Sequence, residues 1–174
     1  IDAQSRLVIE FLQRKAAARG LSLGLTTLAI PAIPLALLAG QYVGALVIVA
    51  LAAIVVGAAV LNALKVTGKD IRQVKLVTSG AGAAALACLG LLVKLGLPRE
   101  NIWATDLAGV VYAGRTELMD EDKAVFAQDT AHRSLAEVMH GADIFLGLSA
   151  GGVLEPDVVA TMAAQPVILA LANP

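Results

Sequence analysis

The chain has 174 residues, of which 58% are hydrophobic, 16% charged and 3% aromatic, and its formal net charge is -1; its mean hydropathy is +0.79. That length holds one domain with a real core and an appendage, and the apolar excess lies beyond that of an ordinary soluble enzyme domain. The near-neutral charge and scarce aromatics exclude a basic nucleic-acid face and a base-stacking platform, and a single cysteine excludes an intrachain disulfide.

Residues 1–20, "IDAQSRLVIEFLQRKAAARG", place Leu7, Val8, Phe11 and Leu12 on an apolar face beside Arg6, Arg14, Lys15 and Arg19. This segment carries four basic and two acidic side chains, against nine basic and twelve acidic from Lys65 onward. Between Arg19 and Lys65 there is no charged residue, a run of about 45. About 20 apolar residues cross a bilayer once, so the run nearly matches two crossings. Pro31, Pro34 and the break at Gly40-Gln41-Tyr42 divide it. The expectation is a transmembrane hairpin over residues 21–64, its basic flank on the cytoplasmic side and Lys65 returned to that side. The run is too long for the apolar region of a signal peptide. A helix buried inside a large oligomeric enzyme is also apolar all round, and that alternative stays open.

The next segment, "LVTSGAGAAALACLGLLVKLG", changes period in its middle. Val74, Leu76 and Val77 suit a short buried strand, whereas Leu86, Leu89, Val93 and the alanines recur at helical spacing. In Gly80-x-Gly82-x-x-Ala85 the first position allows a tight turn and the second lets the backbone approach a pyrophosphate. The third lets the helix pack on the strand. Ala83 opens that helix, whose unpaired N–H groups and positive dipole end favour an anion. A plain packing turn has the same small residues. After the break at Gly96-Leu97-Pro98 comes "NIWATD", a second strand ending in Asp106. A carboxylate there accepts hydrogen bonds from both adenosine ribose hydroxyls; the competing role is to cap the loop "DLAG". The order strand, turn, helix, strand and acid points to a dinucleotide. On simple electrostatics Asp106 repels a 2'-phosphate and favours NAD over NADP.

"GVVYAGR" reads as a short strand or turn, "ELMDEDKAVFAQDT" as an exposed helix, "SLAEVMHG" as a helix and "ADIFLGLSA" as a buried strand. "LEPDVVATMAAQ" has Pro156 suited to a first helical turn, and "PVILALANP" closes with a strand. The alternation predicts an α/β fold, a Rossmann-like doubly wound parallel sheet preceded by a hydrophobic helical segment, with ligands at the carboxyl ends of the strands. Gly80, Asp106, Ser149 and Asn173 fall at such ends. Cys88 reads as a buried inert thiol, and His132 and His140 as surface or helix-end residues without metal-ligand spacing. A reducing, cytoplasmic setting fits these features.

"VLNALKVTGKDIRQVKLVTSGAGAAALACLGLLVKLGLPRENIW", "YAGRTELMDEDKAVFAQDT", "GADIFLGLSAGGVL" and "PVILALANP" together resemble the cofactor domain of bacterial malic enzymes, the oxidative decarboxylases of malate. The likeness runs from about residue 54 to 174, leaving 1–53 unmatched. It implies NAD or NADP, a divalent Mg or Mn, malate as substrate, pyruvate and carbon dioxide as products, and a homo-oligomer. Residue by residue it implies that Gly80, Gly82, Ala83 and Ala85 form the phosphate turn and that Asp106 holds the ribose. It also implies that Gly147 and Ser149 line the nicotinamide half of the cleft and that Asn173 orients substrate and nicotinamide. Asn173 as a turn residue before Pro174 is the competing reading.

The likeness also exposes a gap. Family members carry a histidine, two-aspartate, glutamine, histidine, glycine cluster, including a metal ligand, just before the helix expected here to begin near Ile54; this chain reads "LVIVALAA". The family's catalytic tyrosine and lysine belong to a substrate domain without counterpart in residues 1–53, and the family continues beyond Asn173-Pro174. Malate oxidation needs a base for the hydroxyl proton, and decarboxylation a metal on the 2-oxo acid. No catalytic or metal-binding residue is therefore assigned, and the chain alone is expected to be inactive. Residues 1–53 read either as a membrane module, giving a membrane-anchored nucleotide-binding or sensing protein, or as a fusion or misassigned segment. A dehydrogenase for another small acid is the remaining alternative, against which "ALANP" and the long motif before the glycine turn argue.

Overall fold

In the computed structural model, which describes residues 23–172, the uncharged run forms a single helix of 45 residues, α1 (Leu23–Thr67). The expected hairpin with a break at Gly40-Gln41-Tyr42 is not what forms. An interior glycine costs a helix about 1 kcal/mol and a proline about 3 kcal/mol, and the alanine, leucine and valine residues around them favour continuation. The chain divides into two units, Ile1–Ile48 and Val49–Pro174. In the described part of the first, Val43, Leu46, Val47 and Ile48 are exposed. In the second, Ala53, Val56, Val60 and Leu64 recur every three or four residues and are all buried. Among the described residues, Leu46–Thr67 is long and apolar enough, by length and composition alone, to cross a membrane.

The second unit is built on a sheet. β1 (Leu76–Ser79) is buried along its whole length, as a strand covered by helices on both faces must be. α2 (Ala83–Lys94) follows, then a 3-10 turn at Arg99–Asn101 and β2 (Ile102–Asp106). β3 (Gly109–Val110) turns back antiparallel to β2, pairing Asp106 with Gly109. The acidic segment contributes only one helical turn, α3 (Glu121–Ala124), capped by the Asp120 carboxylate. α4 (Leu135–Met139) begins with a capping box of Ser134 and Glu137. β4 (Ile144–Gly147) is buried throughout, α5 (Pro156–Val159) has its proline in the first turn, and β5 (Val167–Ala170) completes the sheet.

The strand order is β3-β2-β1-β4-β5. β1 pairs parallel with β2 and with β4, and β4 pairs parallel with β5. The sheet is therefore mixed and mostly parallel, and its single antiparallel strand is the two-residue β3 at an edge. Successive residues of β1 serve different cores. Leu76 packs with Val60, Leu89, Ile102 and Ile144 on the side of α1 and α2, while Val77 packs with Val110, Val138, Met139 and Phe145 on the side of α4. This alternation is the period of a strand, and it gives the Rossmann-like arrangement of helices on both faces. Polar rungs hold the centre: the Thr78 hydroxyl donates to Leu146 O at 2.9 Å, and the Thr105 hydroxyl donates to Thr78 O at 2.9 Å. The Lys69 ammonium lies 2.7 Å from the Asp143 carboxylate, whose other oxygen accepts from the backbone N–H of Lys75 at 2.9 Å. These bonds tie the entries of β1 and β4 together.

Candidate functional site

The register brings Ser79, Thr105 and Gly147 to one level at the carboxyl ends of three neighbouring strands. From β1 the chain crosses to β2 on one side, while β4 lies on the other. A cleft opens where the connections diverge in this way, outside the strand ends. The cavity there has a volume of about 440 Å³, and Ser79, Gly80, Gly82, Thr105, Asp106 and Ser149 are among its lining residues.

Gly80 and Gly82 differ in what requires them. Gly80 has φ +111, and a Cβ there would stand 3.0 Å from Leu148 C and 3.2 Å from both Leu148 O and Ser149 N. Only glycine fits that backbone and that close passage of β1 against the β4 exit. Gly82 is the N-cap of α2 with φ -85, a conformation open to any residue, and a Cβ there would meet nothing within 4 Å. No side chain caps this helix end. The open space over Gly82 therefore lies beside unpaired N–H groups and the positive end of the α2 dipole. Ala83 starts α2, and Ala85 is 2% exposed in the core between helix and sheet, which is the close packing a small third residue permits.

Asp106 ends β2, but it is not a free carboxylate. Its Oδ1 accepts from Ala108 N at 2.9 Å and from Arg115 Nη1 at 2.9 Å, and its Oδ2 accepts from Arg115 Nη2 at 2.6 Å and Lys123 Nζ at 3.0 Å. The Arg115 side chain is 2% exposed, and Nη1 also donates to Gly109 O and Val110 O at 3.2 Å. Burial pushes the Asp106 carboxyl pKa up, but hydrogen bonds from Arg115, Lys123 and Ala108 and the Arg115 charge outweigh it and hold the group below the usual carboxylate range. The expectation that Asp106 alone repels a 2'-phosphate is corrected here: two cations and one anion share the position, so the local charge is positive and the electrostatic basis for preferring NAD disappears.

Ser149 lies across the cleft from Asp106, its Oγ 2.6 Å from Ser79 Oγ. Gly147 faces a neighbouring cavity of about 270 Å³ whose lining includes Phe145, Gly151, Gly152 and Ile168. The structure thus gathers Gly80, Gly82, Asp106 and Ser149 at one cavity and sets Gly147 at the next, whereas Asn173 lies outside the described residues. Ser79, Thr105, Arg115 and Lys123 belong to the site as well, and the sequence reading missed them. Arg115 and Lys123 follow the acid by nine and seventeen residues, in segments read as a short strand or turn and as an exposed helix, neither of which points a side chain back to β2.

Cys88 is buried in α2, and burial pushes its thiol pKa up. His132 stacks edge-on against Trp103 with ring centroids 6.0 Å apart, and His140 is the C-cap of α4. Among the described residues no group of three or more His, Cys, Asp or Glu side chains is placed to hold a metal ion. The donor set there does not fit a divalent cation, which prefers several carboxylate or carbonyl oxygens together.

Residues 49–174 match the family model described as malic enzyme, NAD binding domain. The NAD-dependent malic enzyme of Rhizobium meliloti (strain 1021) is 63% identical over 122 residues, which is 70% of this chain and 16% of that protein. The NADP-dependent malic enzyme of Haemophilus influenzae is 54% identical over 123 residues, again 70% of this chain and 16% of that protein. Among solved structures, the NAD-dependent malic enzyme of Thermotoga maritima superimposes with a TM-score of 0.64 at 38% identity, covering 71% of this chain and 33% of that one. The chain therefore spans about a sixth of the length of these two curated relatives. Open cleft, glycine turn, acid at the second strand end and family match agree: the chain belongs to the malic enzyme family through its NAD-binding domain.

Proposed function

We propose that residues 49–174 bind NAD or NADP as the cofactor domain of an enzyme that oxidises and decarboxylates malate to pyruvate and carbon dioxide. The observation that carries the reading is Gly82: nothing among the described residues requires glycine there, so the empty space over its Cα is kept for a ligand that comes close to the backbone. The N–H groups of Gly82 and Ala83 would meet the pyrophosphate, Gly80 would shape the turn, and Asp106 would receive the adenosine ribose. Ser149 and Gly147 would face the nicotinamide half, and Asn173 would orient malate against it. When bound, the nicotinamide supplies the hydride acceptor; the residues of this chain bind and orient it.

Among the described residues no cluster of His, Cys, Asp or Glu side chains is placed to hold a metal ion, and the proposal assigns the base for the hydroxyl proton and the Mg or Mn site to the rest of a complete enzyme. The proposal includes a homo-oligomeric enzyme, as the family resemblance implies, and a cytoplasmic setting, which the basic residues Arg6, Arg14, Lys15 and Arg19 ahead of the apolar run support. Titration with NADH and NADPH, followed by cofactor fluorescence, tests the binding step; saturable uptake is expected, and its absence for both cofactors refutes the reading. With malate and Mn added, this chain alone is expected to produce no reduced cofactor.

A second reading concerns α1. Leu46–Thr67 has the length and composition of a membrane span, and Val47, Ile48, Leu51, Ile54 and Val55 are exposed. We propose that the apolar stretch ahead of Ala53 attaches the cofactor domain to the cytoplasmic face of a membrane, since Ala53, Val56, Val60 and Leu64 are taken up by the domain core. Retention in the pellet after carbonate extraction is expected, and release into the supernatant refutes it.

A further inference from the structure

An ionised carboxylate offers about four lone-pair positions, and at Asp106 four donors fill them. Two come from the forked guanidinium of Arg115, one from Ala108 N and one from Lys123 Nζ. Ribose hydroxyls cannot add to such a group; they have to replace a donor already there. Arg115 is held by its paired bonds to Asp106 and by the carbonyls of Gly109 and Val110, and Ala108 N is fixed by the turn. Lys123 is different. Its bond to Asp106 is single and, at 3.0 Å, the longest of the four. Its side chain is 14% exposed against 2% for Arg115, and it rises on a flexible stem from a one-turn helix. A second acceptor, Leu118 O at 2.6 Å, is already in hand, so the ammonium keeps a partner when it leaves the acid.

Resting on the proposed dinucleotide reading, we infer that Lys123 occupies the ribose-binding position of Asp106 in the free protein and is displaced by the adenosine ribose, while Arg115 stays in place and fixes the carboxylate. Asp106 is thus an acceptor in use, and the affinity for a nucleotide diol is set by an exchange of hydrogen bonds, not by filling a vacant site. With Arg115 Nη2 keeping its bond to Asp106 Oδ2, removing the Lys123 ammonium frees one lone-pair position on that oxygen in advance. It also removes a positive charge, which weakens any diphosphate alike, so the diol has to be isolated by comparison.

The test is calorimetric titration of the full chain and of Lys123→Met with ADP and with 2',3'-dideoxyadenosine 5'-diphosphate, which has the same charge and no diol. The preference for ADP over the dideoxy compound is expected to rise roughly threefold to tenfold in the variant, the scale of one charge-assisted hydrogen bond partly repaid by water. Lys123→Gln, which retains a polar group, is expected to give a smaller rise in the same direction. Both variants should still unfold cooperatively with only a small drop in midpoint, because one of four hydrogen bonds to Asp106 is lost and α3 packs no buried side chain. An unchanged or reduced preference in folded Lys123→Met overturns the exchange while leaving nucleotide binding intact. No saturable binding of ADP to the wild type instead refutes the dinucleotide reading, and the exchange with it.

Discussion

Substituting alanine at Gly82 and at Gly80 separates what the ligand needs from what the fold needs. At Gly80 an alanine is forced to φ +111 with its Cβ 3.0 Å from backbone at Leu148. Strain of this kind costs on the order of 1–3 kcal/mol, and the backbone contact adds to it, so a loss of about 2–4 kcal/mol in stability is expected. At Gly82 the backbone is ordinary and the space is open. Alanine is a poorer N-cap than glycine, a penalty of roughly 0.5–1 kcal/mol. Its methyl group would nevertheless stand where the pyrophosphate has to approach the N–H groups of α2. Losing one charge-assisted hydrogen bond costs about 1.5–3 kcal/mol, or roughly tenfold to a hundredfold in affinity. Urea unfolding and NADH titration on the same samples measure the two effects independently. Gly82→Ala should fold nearly as well as wild type and bind NADH at least about tenfold more weakly. Wild-type affinity in that variant, or a stability loss as large as that of Gly80→Ala, would refute the division of roles.

Three further outcomes follow from the site and the core. Arg115→Met leaves Asp106 with Lys123 and Ala108 N only, in a position from which the guanidinium was almost fully withdrawn from water; breaking a buried pair in this way costs about 3–5 kcal/mol, read as a lowered urea midpoint with an unchanged slope. Acid should destabilise the fold through carboxylates whose folded pKa is depressed. Backbone N–H groups of Arg133 and Ser134 and the Ser134 hydroxyl hold Glu137 at about 2, and Asp106 is also held low. Their contribution is complete above the unfolded values near about 4 and is lost as the pH falls through the folded ones. Circular dichroism should therefore show stability falling between about pH 4 and pH 2, and Glu137→Gln should reduce the dependence. Cys88 should react with a thiol reagent only as fast as the domain opens, because it is 0% exposed and its thiol pKa is raised by burial; rapid labelling of the native protein would contradict that placement.

The glycine turn, β1, α2 and β2 were legible because each is a run of one hydrophobic period ended by Gly80, Gly96 or Pro98. β4 was legible as a short apolar run, although such a run is equally a piece of buried helix until its neighbours are known. Two later helices were overread: the acidic segment and "LEPDVVATMAAQ" show helical composition over many residues but keep only Glu121–Ala124 and Pro156–Val159 as α-helix. α1 erred the other way, since proline and glycine mark a break in sequence but do not force one in a long apolar helix. At the site, residues selected by the backbone could be read from their type, as at Gly80. Arg115 and Lys123 could not, because a cation's partner is a matter of tertiary placement, and nothing local distinguishes an arginine bound for the interior from one in water.

Main-chain contacts set the spacing of the strand ends at the cleft. Gly80 passes against the Leu148 carbonyl, Gly80 N donates to Thr105 O at 2.9 Å and Leu148 N to Ser79 O at 2.8 Å. These contacts carry no side chain to trim, so the spacing they set cannot be retuned one substitution at a time. Redesign of which nucleotide enters is left to the side chains around them, Asp106, Leu107, Ser149 and Val153 among them, and can proceed without disturbing the strands beneath.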